Sequence, residues 1–272
     1  MREPRGTPIG AAATAVLLAV ALTACGGSSS KSDSTPHSTA ASTAGAVSGS
    51  ITVFAASSLA KAFTGLAKQF ESANPGTKVK LDFDSSTVLA TQIQNGAGAD
   101  VFASADQKNM QKLQRAGAVT GDPIVFAKNQ MEIAVQPGNP KHIATVADLA
   151  RGGTIVVLCA SEAPCGKYAD QLLEHDHVTV TPKSREIDAK STISKVELGD
   201  ADAAIVYVTD VKGAKDKVDG VEIPTDQNVV ATLPIAALKD SKNTALAAAW
   251  VKFVTSSASE KALQQQYGFL AP

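Results

Sequence analysis

From residue 51 onward, short apolar runs alternate with stretches whose apolar residues recur three and four positions apart. Ile51–Phe54 reads as a strand, and Leu59, Phe63, Leu66 and Phe70 follow at helical spacing. Asn74-Pro75-Gly76 then makes a turn. Val79, Leu81 and Phe83 alternate as a half-buried strand, and Val88 to Ile93 predicts a short helix. Val101–Phe102 is a further strand, followed by a helix that carries Met110 and Leu113 and stops at Gly117. The same pattern predicts strands at 131–135, 154–158, 204–208 and 233–237. It places helices at 166–175, 190–198 and 244–255, the last with Leu246, Trp250, Phe253 and Val254 on one face. Strand–helix alternation of this density predicts an α/β fold with a mainly parallel sheet.

The first fifty residues break the pattern. Arg2 and Arg5 precede an apolar, Ala-rich run from Ile9 to Ala24, the layout of an export signal and too short for a comfortable membrane span. It ends Leu22-Thr23-Ala24-Cys25-Gly26, which resembles the lipobox of bacterial lipoproteins. That resemblance implies cleavage after residue 24 and a lipidated Cys25 at the outer face of the cell membrane; an ordinary signal peptide with a chance cysteine is the plainer reading. Residues 25–49 are mostly Gly, Ser, Thr and Ala and bury too little apolar surface to fold, so they are expected to be a disordered tether. His37 within them is a solvated residue. The folded body is therefore expected from about residue 50 to 272, long enough for two lobes.

Composition narrows the partner. A formal net charge of −1 gives no basic face for a phosphate backbone, so nucleic acid is excluded as a partner. No G-x-x-x-x-G-K-[ST] loop and no G-x-S-x-G elbow is present.

Chemistry concentrates where strands or loops give way to helices, the place where open α/β sheets bind ligands. Four such junctions are rich in small donors: Ala55-Ala56-Ser57-Ser58-Leu59, Asp84-Ser85-Ser86-Thr87, Ala163-Pro164-Cys165-Gly166-Lys167 and Asp188-Ala189-Lys190-Ser191. Tyr207 adds a hydroxyl at the end of the strand Ala203-Ala204-Ile205-Val206-Tyr207. Helix starts present unpaired N–H groups and a partial positive charge, so several converging on one cleft would hold a small oxyanion without a salt bridge. Each Ser or Asp here equally suits the ordinary role of helix N-cap.

The run Ile51-Thr52-Val53-Phe54-Ala55-Ala56-Ser57-Ser58-Leu59 resembles the opening of the molybdate-binding proteins of ABC importers. Ser85-Ser86 with Leu89-Ala90-Thr91-Gln92-Ile93, the segment Ala99 to Gln107, Ala203 to Tyr207 and the closing Tyr267-Gly268-Phe269 resemble the same family, in order along the body. The resemblance implies a two-lobed periplasmic binding protein of type II with a hinge. Lobe 1 would comprise residues 50–128 and 232–272, and lobe 2 residues 129–231. Carried over by motif, the ligand donors are Ser58 and Ser86 from lobe 1, and the N–H groups of Cys165 and Ala189 with the Tyr207 hydroxyl from lobe 2. Ser57, where the family commonly has Ala, is a possible additional donor. The resemblance further implies no enzymatic activity and no cofactor. It implies molybdate, and tungstate of nearly the same size, as ligand, an ABC transporter permease in the membrane as partner, and a monomeric state.

Other constellations carry less. Cys159 and Cys165, with Ala160 to Pro164 between them, read as a short-loop disulfide in an exported protein or as two thiols. A metal there would need more ligands than Glu162 adds. His175 and His177 do not share a helix face, so no protein-coordinated metal is expected. Asp100 and Asp106 read as loop-start residues that bond backbone. Two readings compete with molybdate capture. One is the same fold binding sulfate or another small oxyanion; the other is an exported α/β hydrolase or transferase, for which no nucleophile–base pair is visible.

Overall fold

In the computed structural model the described residues are 47–272. The expected signal segment 1–24, Cys25 and the expected tether as far as residue 46 lie outside them. Strand β1 (Gly49–Ala56) lies between two parallel neighbours, β2 (Thr77–Asp84) and β3 (Val101–Ala103). Helix α1 (Ala60–Ala73) makes the crossover from β1 to β2 and buries Phe63, Leu66 and Phe70. It stops because Pro75 cannot continue it, and Gly76 takes a left-handed φ of 87° to turn the chain into β2. Helices α2 (Ser86–Gln94) and α3 (Gln107–Arg115) follow β2 and β3.

Strand β4 (Ile124–Val135) is the element on which the architecture turns. Beyond it come β5 (Val156–Cys159), α4 (Pro164–His175), β6 (Ser184–Glu186), α5 (Ala189–Glu197), β7 (Ala203–Tyr207), α6 (Val208–Ala214) and β8 (Asp219–Glu222). Strand β9 (Val230–Ala237) then leads back to α7 (Thr244–Val254) and α8 (Ser257–Ala262). The sheet order is β2-β1-β3-β9-β4-β7-β5-β6, with β8 also on β4. Residues Ile124 to Gln130 of β4 pair with β9, whereas Met131 to Val135 pair with β7 and, from Glu132, with β8. One strand thus serves two halves of the molecule.

The pairing departs from the expected, mainly parallel sheet. β1 is parallel to β2 and β3, and β5 to β6 and β7, as helical crossovers require. Every pairing of β4 and β9 is antiparallel, because these strands run between the halves in opposite directions. The sheet is therefore mixed. β6, β8 and the first half of β4 went unpredicted: Ser184-Arg185-Glu186 and Asp219-Gly220-Val221-Glu222 show no apolar alternation.

At the switch in β4, the Asn228 side chain replaces a missing strand partner. Its Nδ2 donates to the Met131 carbonyl (2.8 Å) and its Oδ1 accepts from the Met131 N–H (2.9 Å). Beside it, Asn129 Nδ2 donates to Thr209 Oγ1 in the interior (2.8 Å).

The C-terminal helices close the first half. Trp250 of α7 is fully buried and meets Phe63 and Phe70 of α1 edge-on, with centroids 5.9 and 5.4 Å apart. Trp250→Ala is expected to destabilise the fold by about 3–5 kcal/mol, because a large cavity opens among rings that cannot collapse into it. Equilibrium denaturation of the variant and the parent protein measures the difference.

Candidate functional site

Three α-helices and a short 3-10 turn begin at one place between the two halves. Ala56, Ser57, Ser58, Ser85, Ser86, Ala105, Pro164, Cys165, Asp188, Ala189 and Tyr207 line a single pocket. All six donor residues expected from the sequence (Ser57, Ser58, Ser86, Cys165, Ala189 and Tyr207) are in that lining. The pocket is much smaller than a second cleft, which is lined by Asp106, Lys108, Lys167 and Tyr168 among others. No Lys or Arg is among the lining residues.

The local chemistry explains why each junction can be a cap and a donor site together. Ser85 is the N-cap of α2, and its hydroxyl accepts from Val88 N–H in the third helical position (3.3 Å). Asp188 caps α5 in the same way through Ser191 N–H (2.7 Å). These caps leave the first helical residues, Ser86 and Ala189, with N–H groups that have no partner within the helix. In α4 the first residue is Pro164, which lacks an N–H, so Cys165 supplies the leading donor. Cys165 is joined to Cys159 by a disulfide, which closes the loop that precedes α4. Gly166 is required there, since a Cβ would collide with the carbonyl oxygen of Ala160.

The hydroxyls are in three different situations. Ser86 is fully buried, and its Oγ accepts from Ala105 N–H (2.9 Å), which leaves its proton free to donate. Ser58 Oγ and Tyr207 Oη are buried and have no hydrogen-bond partner among the described residues. A buried hydroxyl without a partner costs about 1–3 kcal/mol, so two beside one pocket mark a place built to be completed by an acceptor. Ser57 is buried in the same lining.

Residues 51–270 match the family described as bacterial extracellular solute-binding protein. The chain belongs to that family. It is a binding protein rather than an enzyme. The molybdate-binding protein ModA of Mycobacterium tuberculosis is 42% identical over 223 residues, which is 82% of this chain and 85% of that one. ModA of Haemophilus influenzae is 30% identical over 232 residues, 81% of this chain and 90% of that one. Among solved structures, the periplasmic molybdate-binding protein of Azotobacter vinelandii superposes with a TM-score of 0.73 at 22% identity, over 82% of this chain and 99% of that one. The sulfate-binding protein SubI of Mycobacterium tuberculosis gives 0.70 at 19% identity, over 81% of this chain and 86% of that one. Both structures share the two-lobed fold.

Acidic groups sit close to this pocket, and burial raises two of them, Asp210 and Asp84. Asp210, behind Tyr207, accepts from the Tyr207 N–H (3.2 Å), yet burial pushes its carboxyl up to about 7, with a contribution from Asp188. Burial also raises Asp84, against the pull of the Ser85 N–H, and Asp188 and Asp82 raise it further. Burial, with Tyr168, Asp210 and Asp106 nearby, holds the Tyr207 phenol well above its usual value, so it stays a neutral donor. Asp210 was not among the expected site residues; its signal is an acidic residue in the first turn after the strand end.

The residues set aside as structural also have their places. Asp100 Oδ2 accepts from Thr52 N–H (2.7 Å) and its Oδ1 from Ser241 Oγ (2.6 Å). Asp106 caps α3 through Asn109 N–H (2.9 Å). His175 Nδ1 contacts Asp176 Oδ1 (2.9 Å). Among the described residues, no group of three or more His, Cys, Asp or Glu could hold a metal ion.

Two outcomes are expected. Tyr207→Phe removes an unpartnered buried hydroxyl and should leave the ligand-free protein as stable as the parent, or up to about 1 kcal/mol more stable, in chemical denaturation. For Asp210 the ordinary value of 3.8 lies below the folded value of about 7, so the folded state holds the extra proton between them. Stability should therefore fall as pH rises from about 4 to about 7 and level off above that. Asp210→Asn should flatten that slope, read as melting temperature against pH.

Proposed function

We propose that the protein captures molybdate, and tungstate equally, by closing two lobes around the oxyanion and presenting it to an ABC importer permease. One observation carries this reading: the partnerless buried hydroxyls of Ser58 and Tyr207 share a cation-free pocket with three helix starts. Such a pocket suits a fully deprotonated dianion, which needs donors only. Molybdate meets that condition near neutral pH. Phosphate keeps a proton there and would favour a carboxylate acceptor, and none of the five proposed contacts (Ser58, Ser86, Cys165, Ala189 and Tyr207) is a carboxylate. Asp188 is a carboxylate in the lining, and its Oδ1 is engaged as the helix cap.

Sulfate has the same charge and shape and is smaller. The 42%-identical relative named for molybdate supports the larger ion; the resemblance to SubI is one of fold. In this reading lobe 1 comprises residues 50–128 and 232–272, lobe 2 comprises residues 129–231, and β4 and β9 form the hinge between them. The protein acts as a monomer on the outer face of the membrane, held by a lipid on Cys25 through the tether. Molybdate is cargo, not a cofactor.

Calorimetry with molybdate, tungstate, sulfate and phosphate tests the assignment. Tight binding of the first two and weak or no binding of the others is expected. Sulfate binding as tightly as molybdate would overturn the ligand, and no heat with any oxyanion would overturn the site. Ser86→Ala should weaken molybdate by about 10-fold or more, the worth of a hydrogen bond to a charged group, and far more than Ser57→Ala does. Equal losses would refute the donor assignment.

A further inference from the structure

The Cys159–Cys165 loop is gripped from the opposite half of the molecule. Thr87 of α2 donates from Oγ1 to the carbonyl oxygen of Glu162 at 2.6 Å, across 75 residues of sequence. The hydrogen bond runs outside the pocket, and neither residue is in its lining. Its polarity is set from behind. Asn109 Nδ2 donates to Thr87 Oγ1 (3.2 Å) and to Asp106 Oδ1 (3.0 Å), and the same Asp106 oxygen accepts Asn109 N–H (2.9 Å). An amide oxygen turned toward that carboxylate would be repelled, so the Asn109 NH₂ must face it and Thr87. With its oxygen accepting from Asn109, the Thr87 hydroxyl has its proton left for Glu162, whose carbonyl can only accept. Asp106 and Asn109 are both buried, so the relay is anchored on one side.

The gripped loop is equally well fixed. The disulfide closes it, Ala163 N–H donates to the Ala160 carbonyl (2.9 Å), and Ala160 N–H donates to Glu186 (2.7 Å). Arg185 holds the Cys159 carbonyl (2.9 Å). Glu162 stands three residues before Cys165, the proposed donor from α4, so pulling on one end of this short ring positions the other.

We propose that Thr87 is a latch that holds the lobes closed over bound oxyanion, with Asn109 as the residue that positions its hydroxyl. The proposal rests on the oxyanion-binding reading for its ligand, but the contact itself does not. A contact that favours the closed arrangement, with or without ligand present, slows release, so Thr87→Val should speed dissociation. The size of one net hydrogen bond sets the effect at about 3- to 10-fold. Thr87→Ser keeps the hydroxyl and should restore slow release. Glu162→Ala keeps the carbonyl and should behave as the parent.

The test is release of radiolabelled molybdate from the protein into excess unlabelled molybdate, with small-angle scattering of the ligand-free proteins alongside. Faster release by Thr87→Val and rescue by Thr87→Ser support the latch. Unchanged release by Thr87→Val, or equal acceleration by Thr87→Ser, overturns it. If the parent protein retains no molybdate, the oxyanion reading fails and scattering decides the latch. A larger radius of gyration for Thr87→Val than for the parent then supports it, and an unchanged radius overturns it.

Discussion

Holding a doubly charged anion with neutral groups demands that many weak donors point at one spot before the ion arrives. Each donor so aimed must forgo a partner elsewhere, and the buried hydroxyls of Ser58 and Tyr207 have none among the described residues. That unfavourable arrangement persists only because the surrounding structure over-determines it. Ser58 sits in a turn clamped between β1 and α1, whose apolar face is locked on Trp250. Tyr207 ends a five-residue strand that is buried throughout, with its ring against Tyr168. The cores of both halves thus serve to keep a handful of polar atoms from relaxing.

The topology follows from the same demand. Helix starts can converge on a point from two directions only if two sheets face each other with the carboxyl ends of their strands turned inward. Parallel β–α crossovers build each face, and the chain must then pass between them. β4 and β9 make that passage as continuous strands rather than loose linkers. Where β4 leaves β9, Asn228 caps its exposed backbone with a side-chain amide. The Met131 peptide groups are therefore paired where the strand partner changes.

Elements with a strong apolar period were legible in the sequence, and so were the helix starts. Leu59, Phe63, Leu66 and Phe70 sit on one buried stripe, and the small residues at Ser58, Ser86, Cys165 and Ala189 all face the pocket. Composition at each junction was informative because only small residues admit a close backbone approach. Pairing was less legible. The antiparallel character of β4 and β9 depends on where the chain returns, which no local pattern encodes. The Ser85–Ser86 pair shows the limit most clearly: adjacent identical residues, both in the pocket lining, divide the labour, Ser85 capping α2 and Ser86 accepting from Ala105 N–H. Only the helical geometry distinguishes them. The Thr87 contact was invisible for a related reason, since its acceptor is a backbone carbonyl that any residue at 162 would supply.

The aromatic cluster around Trp250 has a spectroscopic consequence. It is the chain's single tryptophan, it is fully buried, and its neighbours are Phe63, Phe70 and Phe253. None of these four residues lines the pocket. Its emission therefore reports whether α1 and α7 remain docked, which makes it a clean probe of unfolding and a poor gauge of occupancy. The aromatic residue in the pocket lining is Tyr207, with Tyr168 packed against its ring. A fluorescence titration that excites only the indole would look past the event it was meant to follow.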